Sequence, residues 1–214
     1  MTNKLIVFEG IDGSGKTTLI KQLKKYLKNQ KKIIICQGLG SSSIGKPIRK
    51  LFLYQENLSP NTRYLISLAN MTQTQEELVI PALLKGYIVL VDRWYDSTFA
   101  YQSDDINLDS GDKILTSKII NHFLIKPKLT FYLDIDPKIG LKRNQTQLNH
   151  KLETIEQKPI TYFQNVRKNY LNQYQYCNNQ NCKHENCNYF LINATQPKNK
   201  ILKQIIKILN IKNT

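Results

Sequence analysis

The chain has no apolar run long enough to span a bilayer, and no charged-then-apolar leader opens it. Both absences point to a cytoplasmic protein without a membrane partner. Acidic residues are scarce, 16 against 31 Lys and Arg, for a formal charge of +15. That excess is not gathered into a basic arm. The lysines are scattered, many beside Asn and Ile as in Lys24-Lys25-Tyr26-Leu27-Lys28-Asn29, so a solvated surface is the expectation and a nucleic-acid partner is not. No composition break marks a second domain, and 214 residues suffice to bury one α/β core. Cysteines number four, and a cytoplasmic setting argues against disulfides.

Against these absences stands the stretch Gly10-Ile11-Asp12-Gly13-Ser14-Gly15-Lys16-Thr17. The pattern Gly-x-x-x-x-Gly-Lys-Thr is the phosphate-binding P-loop signature. It follows Leu5-Ile6-Val7-Phe8, a short buried strand by length and branching, and runs into a helix-forming segment. Backbone wrapped round a polyphosphate must point several N–H groups at its oxygens, and Cβ atoms at the glycines would obstruct that wrap. The helix beginning near Lys16 adds its positive end. Lys16, expected in a solvated loop mouth, supplies a point charge to the terminal phosphates, and the Thr17 hydroxyl suits a site on Mg²⁺. Strand, loop, Lys-Thr pair and helix in register argue against a glycine-rich turn that binds nothing.

Strand and helix then alternate. Leu19, Ile20, Leu23 and Leu27 recur at helical spacing. A strand is expected at Lys32 to Cys36, a loop at Gln37 to Ser43, a short helix at Ile44 to Tyr54, and a long helix from Asn61 to Leu84, bent at Pro81. Strands follow at Tyr87 to Val91, Leu129 to Leu133 and Tyr189 to Ile192. Helices are expected near Ser97 to Ser103, Lys113 to Leu124, Pro137 to Arg143, Ile160 to Tyr176 and from Lys198. The pattern predicts an α/β fold, a single domain on a mainly parallel sheet with helices on both faces. Ligands of such sheets sit at the carboxyl ends of the strands, where Asp92-Arg93 and Asp134-Ile135-Asp136 fall. An acid there can hold a metal-bound water and an arginine can bridge two phosphates. A helix N-cap is the plainer role for Asp92.

Phe8-Glu9-Gly10 into the P-loop, Asp92-Arg93-Trp94-Tyr95-Asp96-Ser97-Thr98-Phe99-Ala100-Tyr101-Gln102, Tyr132-Leu133-Asp134 and Gly140-Leu141-Lys142-Arg143 together resemble thymidylate kinases. Tyr162-Phe163 with Arg167 and Tyr170-Leu171, and Ile192-Asn193-Ala194-Thr195, extend the resemblance over nearly the whole chain. It implies transfer of the γ-phosphoryl of ATP to dTMP on a five-stranded parallel sheet with a lid, here about residues 143–158. The implied ATP-binding set is Gly10, Asp12, Gly13, Ser14, Gly15, Lys16, Thr17 and Thr18. Thr17 and Asp92 are the implied Mg²⁺ positions, and Lys16, Asp92, Arg93 and Arg143 the catalytic groups. On the acceptor side stand Asp12 toward the sugar hydroxyl, Arg49 toward the phosphate, Tyr101 and Gln102 toward deoxyribose and base, and Ser97. A homodimer is expected.

The chain also departs from the family. Gln37-Gly38-Leu39-Gly40-Ser41 stands where Arg-Glu-Pro-Gly-Gly is usual, and Ser67-Leu68-Ala69-Asn70-Met71 where Phe-x-Ala-Asp-Arg is usual. A stacking ring and a charge-assisted bond to the nucleotide are thereby lost, each worth about 1–3 kcal/mol, with Phe52, Tyr64 and Trp94 as aromatic substitutes. The lid carries Gln145, Gln147, Asn149, His150 and Lys151 in place of repeated arginines. These departures keep open a related kinase with another acceptor, or a nucleotide-binding paralogue of weak activity. Cys177, Cys182, His184 and Cys187 offer thiolate and imidazole for a structural zinc, or are reduced surface cysteines in a Cys/Asn-rich insertion at about 177–188. His122 is expected as a core or boundary residue.

Overall fold

The computed structural model describes residues 4–27, 32–102, 110–146, 154–178 and 188–211. Among them a five-stranded sheet is built in the order β2-β3-β1-β4-β5 from β1 (Leu5–Glu9), β2 (Ile33–Gln37), β3 (Ile88–Asp92), β4 (Leu129–Asp134) and β5 (Tyr189–Asn193). All four pairings are parallel. The intervening helices are α1 (Lys16–Leu27), α2 (Gly45–Tyr54), α3 (Pro60–Thr74), α4 (Ile80–Leu84), α5 (Tyr95–Gln102), α6 (Ser110–Phe123), α7 (Pro137–Gln145), α8 (Ile160–Asn178) and α9 (Lys198–Ile211). A 3₁₀ turn at Thr154–Gln157 precedes α8. None of the helices described is long and apolar enough to cross a membrane.

The central strand shows why both faces must be covered. Successive side chains of a strand point to opposite faces. In β1, Ile6 and Phe8 join a core made with Leu19, Ile20 and Leu23 of α1, Val166 and Tyr170 of α8, and Ile201 and Ile205 of α9. Leu5 and Val7 join the opposite core, with Leu68 and Met71 of α3, Val79 and Ala82, and Ile120 of α6. Each of the larger aliphatic and Phe side chains, fully buried, contributes about 1.5–3 kcal/mol.

The long second helical stretch differs from expectation in where it yields. Ser59 caps α3, accepting from the Thr62 N–H, and Pro60 opens it. The irregularity is a π turn at Gln75–Val79, and Pro81 falls in the first turn of α4. Proline has no N–H to give and its ring crowds the preceding turn, so the widened turn just before it absorbs what a kink at Pro81 would have. Gln75 then fastens this turn to the loop before β4, donating to the Phe123 carbonyl and accepting from the Ile125 N–H. His122 is exposed at the end of α6, edge-on to Phe123, and not a core residue.

Candidate active site

Parallel register brings three strand ends together. Phe8 pairs with Asp92 and Gln37 with Asp92, so β1, β2 and β3 finish side by side. The P-loop leaves β1 there. Gly13 has φ +75, and a Cβ on it would meet the Gly140 carbonyl oxygen at 1.8 Å, so only glycine lets the loop pass under α7. Beyond the loop opens a cavity of about 880 Å³, within the range of small-molecule sites.

The predicted phosphate-binding residues Asp12, Gly13, Ser14, Gly15, Lys16, Thr17 and Thr18 all line it, while Gly10 lies beneath, its φ of +136 and the neighbouring Leu133 carbonyl excluding a side chain. The Thr17 hydroxyl donates to Asp92 Oδ2 at 2.6 Å. Asp92 therefore turns its carboxylate to the P-loop. Lys16 departs from expectation: it is 5% exposed, not solvated. Its Nζ donates to the Gly10 and Ile11 carbonyls, each at 2.9 Å. Burial, and then the charge of Arg93, pull its pKa down to about 8 against the opposing attraction of Asp12, Asp92 and Glu9.

Arg93 is the hub. Its φ of 65 makes it the one non-glycine with positive φ among the described residues, a conformation that costs of order 1–3 kcal/mol and is held only by its surroundings. The guanidinium donates to Asp12 Oδ1 at 2.7 Å, to the Tyr101 hydroxyl at 3.2 Å, to Ser97 Oγ at 3.4 Å and to the Tyr170 hydroxyl at 3.3 Å. Burial opposes the charge of Asp12, but Arg93 and Lys16 outweigh it and hold the carboxyl down at about 2.

Behind Arg93 lies a residue to which sequence reasoning assigned no role. Glu9, fully buried, accepts from the Trp94 N–H at 2.7 Å, from the Ser97 hydroxyl, and from the Tyr170 hydroxyl at 3.1 Å. Burial raises its pKa, against those hydrogen bonds and the charge of Arg93. Burial and then Glu9 likewise push Asp96 up. A charged residue ending an otherwise apolar strand was the available signal for Glu9, whereas Tyr170 is 161 residues away and nothing local announces it. Glu9→Ala strands three buried donors, each at about 1–3 kcal/mol. The expected loss is about 3–5 kcal/mol in urea unfolding, with a fall in kcat as the turn at Arg93 loosens, and Glu9→Gln should recover part of both.

Arg49 donates to the Leu39 carbonyl at 3.0 Å and lines the cavity. Ser97, Tyr101 and Gln102 line it from α5, and Arg143 lines it from α7 while donating to the Ala194 carbonyl at 3.0 Å. Ser67 and Met71 line it from α3. Asn70, fully buried, accepts from the Gly40 N–H and donates to Ser42, and so pins the loop after β2. Of the aromatic substitutes, Phe52 lines the cavity, whereas Tyr64 and Trp94 do not. Trp94 is fully buried, its indole N–H given to the Ile125 carbonyl. Cys177 ends up near the close of α8; Cys182, His184 and Cys187 lie outside the described residues, as do Gln147, Asn149, His150 and Lys151 of the lid. Among the described residues no three His, Cys, Asp or Glu side chains gather as a metal site.

A family model described as thymidylate kinase matches residues 8–205. A thymidylate kinase of Bacillus mycoides is 33% identical over 218 aligned positions, covering 99% of each chain. One of Caldanaerobacter subterraneus subsp. tengcongensis is 36% identical over 176 positions, 80% of this chain and 81% of that one. One of Acholeplasma laidlawii is 37% identical over 171 positions, 78% and 82%. With the match running from the end of β1 into α9, the chain belongs to the thymidylate kinase family.

Proposed function

We propose that this chain transfers the γ-phosphoryl group of ATP to dTMP, giving dTDP and ADP, in a single nucleotide-binding domain with its lid at about 143–158 and its insertion at about 177–188. The observation that carries the reading is the meeting of Lys16, Thr17, Asp92 and Arg93 at one end of one cavity. Lys16 swings from the Gly10 and Ile11 carbonyls to the donor phosphates, where a charged ammonium is worth most. Thr17 Oγ1 and Asp92 Oδ2 are hard oxygen donors of the kind Mg²⁺ takes, directly or through water. Mg²⁺ bound there would neutralise charge on the donor phosphates. Arg93, a planar donor-only fork, bridges the phosphates of donor and acceptor, and Arg143 approaches from the lid side. Asp12 and Tyr101 face the deoxyribose, Arg49 the acceptor phosphate, Gln102 the base, and Ser97 holds Arg93 in place. Zinc has no part in this reading. The protein is inferred to work in the cytoplasm as a homodimer, for which exposed Leu51 and Leu65 offer apolar surface; sedimentation at micromolar concentration should give twice the chain mass.

ADP release from Mg-ATP should depend on added dTMP, and release that ignores dTMP would reject the reading. Ser67→Phe with Met71→Arg, restoring a ring and a cation to the acceptor side, should lower KM for dTMP about tenfold, less than the sum of the single effects because the two share one ligand.

A further inference from the structure

We infer that the acceptor range of this site extends to dCMP, because the four side chains that line the base end of the cavity include no donor-only group to turn away a 4-amino pyrimidine. The inference rests on the kinase reading above. Ser67 and Met71 stand one turn apart on α3, and Thr98 and Gln102 one turn apart on α5. All four line the cavity, and the hydroxyls of Ser67 and Thr98 approach to 3.4 Å. Helix α5 starts beside Arg93 at the phosphate end and finishes at Gln102, about 10 Å further at 1.5 Å per residue. Gln102 therefore meets the part of a nucleotide farthest from its phosphate.

Gln102 is 5% exposed, and its Oε1 is buried without a hydrogen-bond partner among the described residues. That oxygen has almost no accessible surface, so the amide meets a ligand only by turning within the cavity. Thymine supplies N3–H beside an O4 acceptor, and cytosine supplies its N4 amine beside an N3 acceptor. A side-chain amide carries one acceptor and one double donor, and turning it over reverses their order. The Ser67 hydroxyl gives its proton to the Tyr64 carbonyl at 2.7 Å and so meets a ligand as an acceptor, the Thr98 hydroxyl can donate or accept, and the Met71 thioether is only a weak acceptor. None of the four is a donor-only group of the kind that would turn away a 4-amine. Strong rejection of a wrong base arises where its pairing leaves a polar group of the site unmatched, and neither pyrimidine does so here. Of the charged lining groups, Arg49 holds the Leu39 carbonyl and Arg93 holds Asp12.

The reaction is the same exchange as with dTMP. An acceptor phosphate oxygen forms a bond to the γ-phosphorus of ATP, the bond from that phosphorus to the β–γ bridging oxygen breaks, and dCDP and ADP leave. Cytosine lacks the 5-methyl group of thymine, a loss of about fourfold at the value of one buried methyl, and dUMP measures that factor separately.

The test is kcat/KM of the full chain for dTMP, dUMP and dCMP at saturating Mg-ATP, which needs no variant. The expected result is dCMP within tenfold of dTMP and within about threefold of dUMP. If dTMP turns over and dCMP lies more than tenfold below it, the inference is overturned while the kinase reading stands. If none of the three turns over, the kinase reading itself fails. Met71→Arg supplies the donor-only group the site lacks, and should lower the dCMP to dTMP ratio by a further tenfold or more; an unchanged ratio in a folded variant would also count against the inference.

Discussion

Lys16→Ala should lower kcat for phosphoryl transfer by at least about a hundredfold, with the circular dichroism spectrum unchanged. A positioned cation acting on charge that develops during transfer usually contributes that much. Because Lys16 is buried and folded back on the Gly10 and Ile11 carbonyls, the same residue makes a second, independent prediction. Folding lowers its pKa to about 8 from 10.5, so between those values the unfolded chain binds more protons than the folded one. Its contribution to stability therefore rises with pH across that window, and its penalty is complete below about pH 8. Polyphosphate beside the ammonium favours the charged form. ATP binding near pH 8.5 should take up protons, measurable as a dependence of binding heat on buffer ionisation enthalpy, and Lys16→Ala should abolish the uptake. A variant that kept more than a tenth of the rate would move the chemistry elsewhere.

Arg93→Ala should be the other severe loss, about a thousandfold in kcat with KM changed less than about tenfold. Its guanidinium is already aimed by Asp12, Tyr101, Ser97 and Tyr170, so little reorganisation remains when charge spreads between the two phosphates. Arg93→Lys should not restore the rate, since a point ammonium cannot replace the planar guanidinium fork that reaches four partners. An effect confined to KM would make Arg93 a ground-state binding residue.

The scaffold was legible where it repeats. Apolar runs such as Ile88-Val89-Leu90-Val91, separated by helices, report a parallel sheet through burial alone, and the P-loop is legible because phosphate chemistry tolerates few alternatives to glycine, lysine and threonine. What stayed hidden depends on distance and on context. Glu9 and Tyr170 become one hydrogen-bonded unit only when β1 and α8 pack together. Lys16 is solvated or buried according to whether loop carbonyls turn toward it, which no spacing records. Trp94 offered itself as a stacking ring because an aromatic after Arg93 is equally compatible with pocket and core; the left-handed turn at Arg93 sends it into the core with Leu5 and Val7. Pro81 was visible as a disturbance, but the π turn that answers it lies before it, at Gln75–Val79.

The central claim is that one cavity carries a phosphoryl group from ATP to a pyrimidine deoxynucleotide, and the most direct measurement follows that group. ATP labelled in its γ-phosphoryl oxygens with ¹⁸O, mixed with dTMP, Mg²⁺ and the full chain, should deliver the label to the β-phosphate of dTDP, resolved by ³¹P NMR. Label appearing only in inorganic phosphate, with dTMP unchanged, would contradict the account.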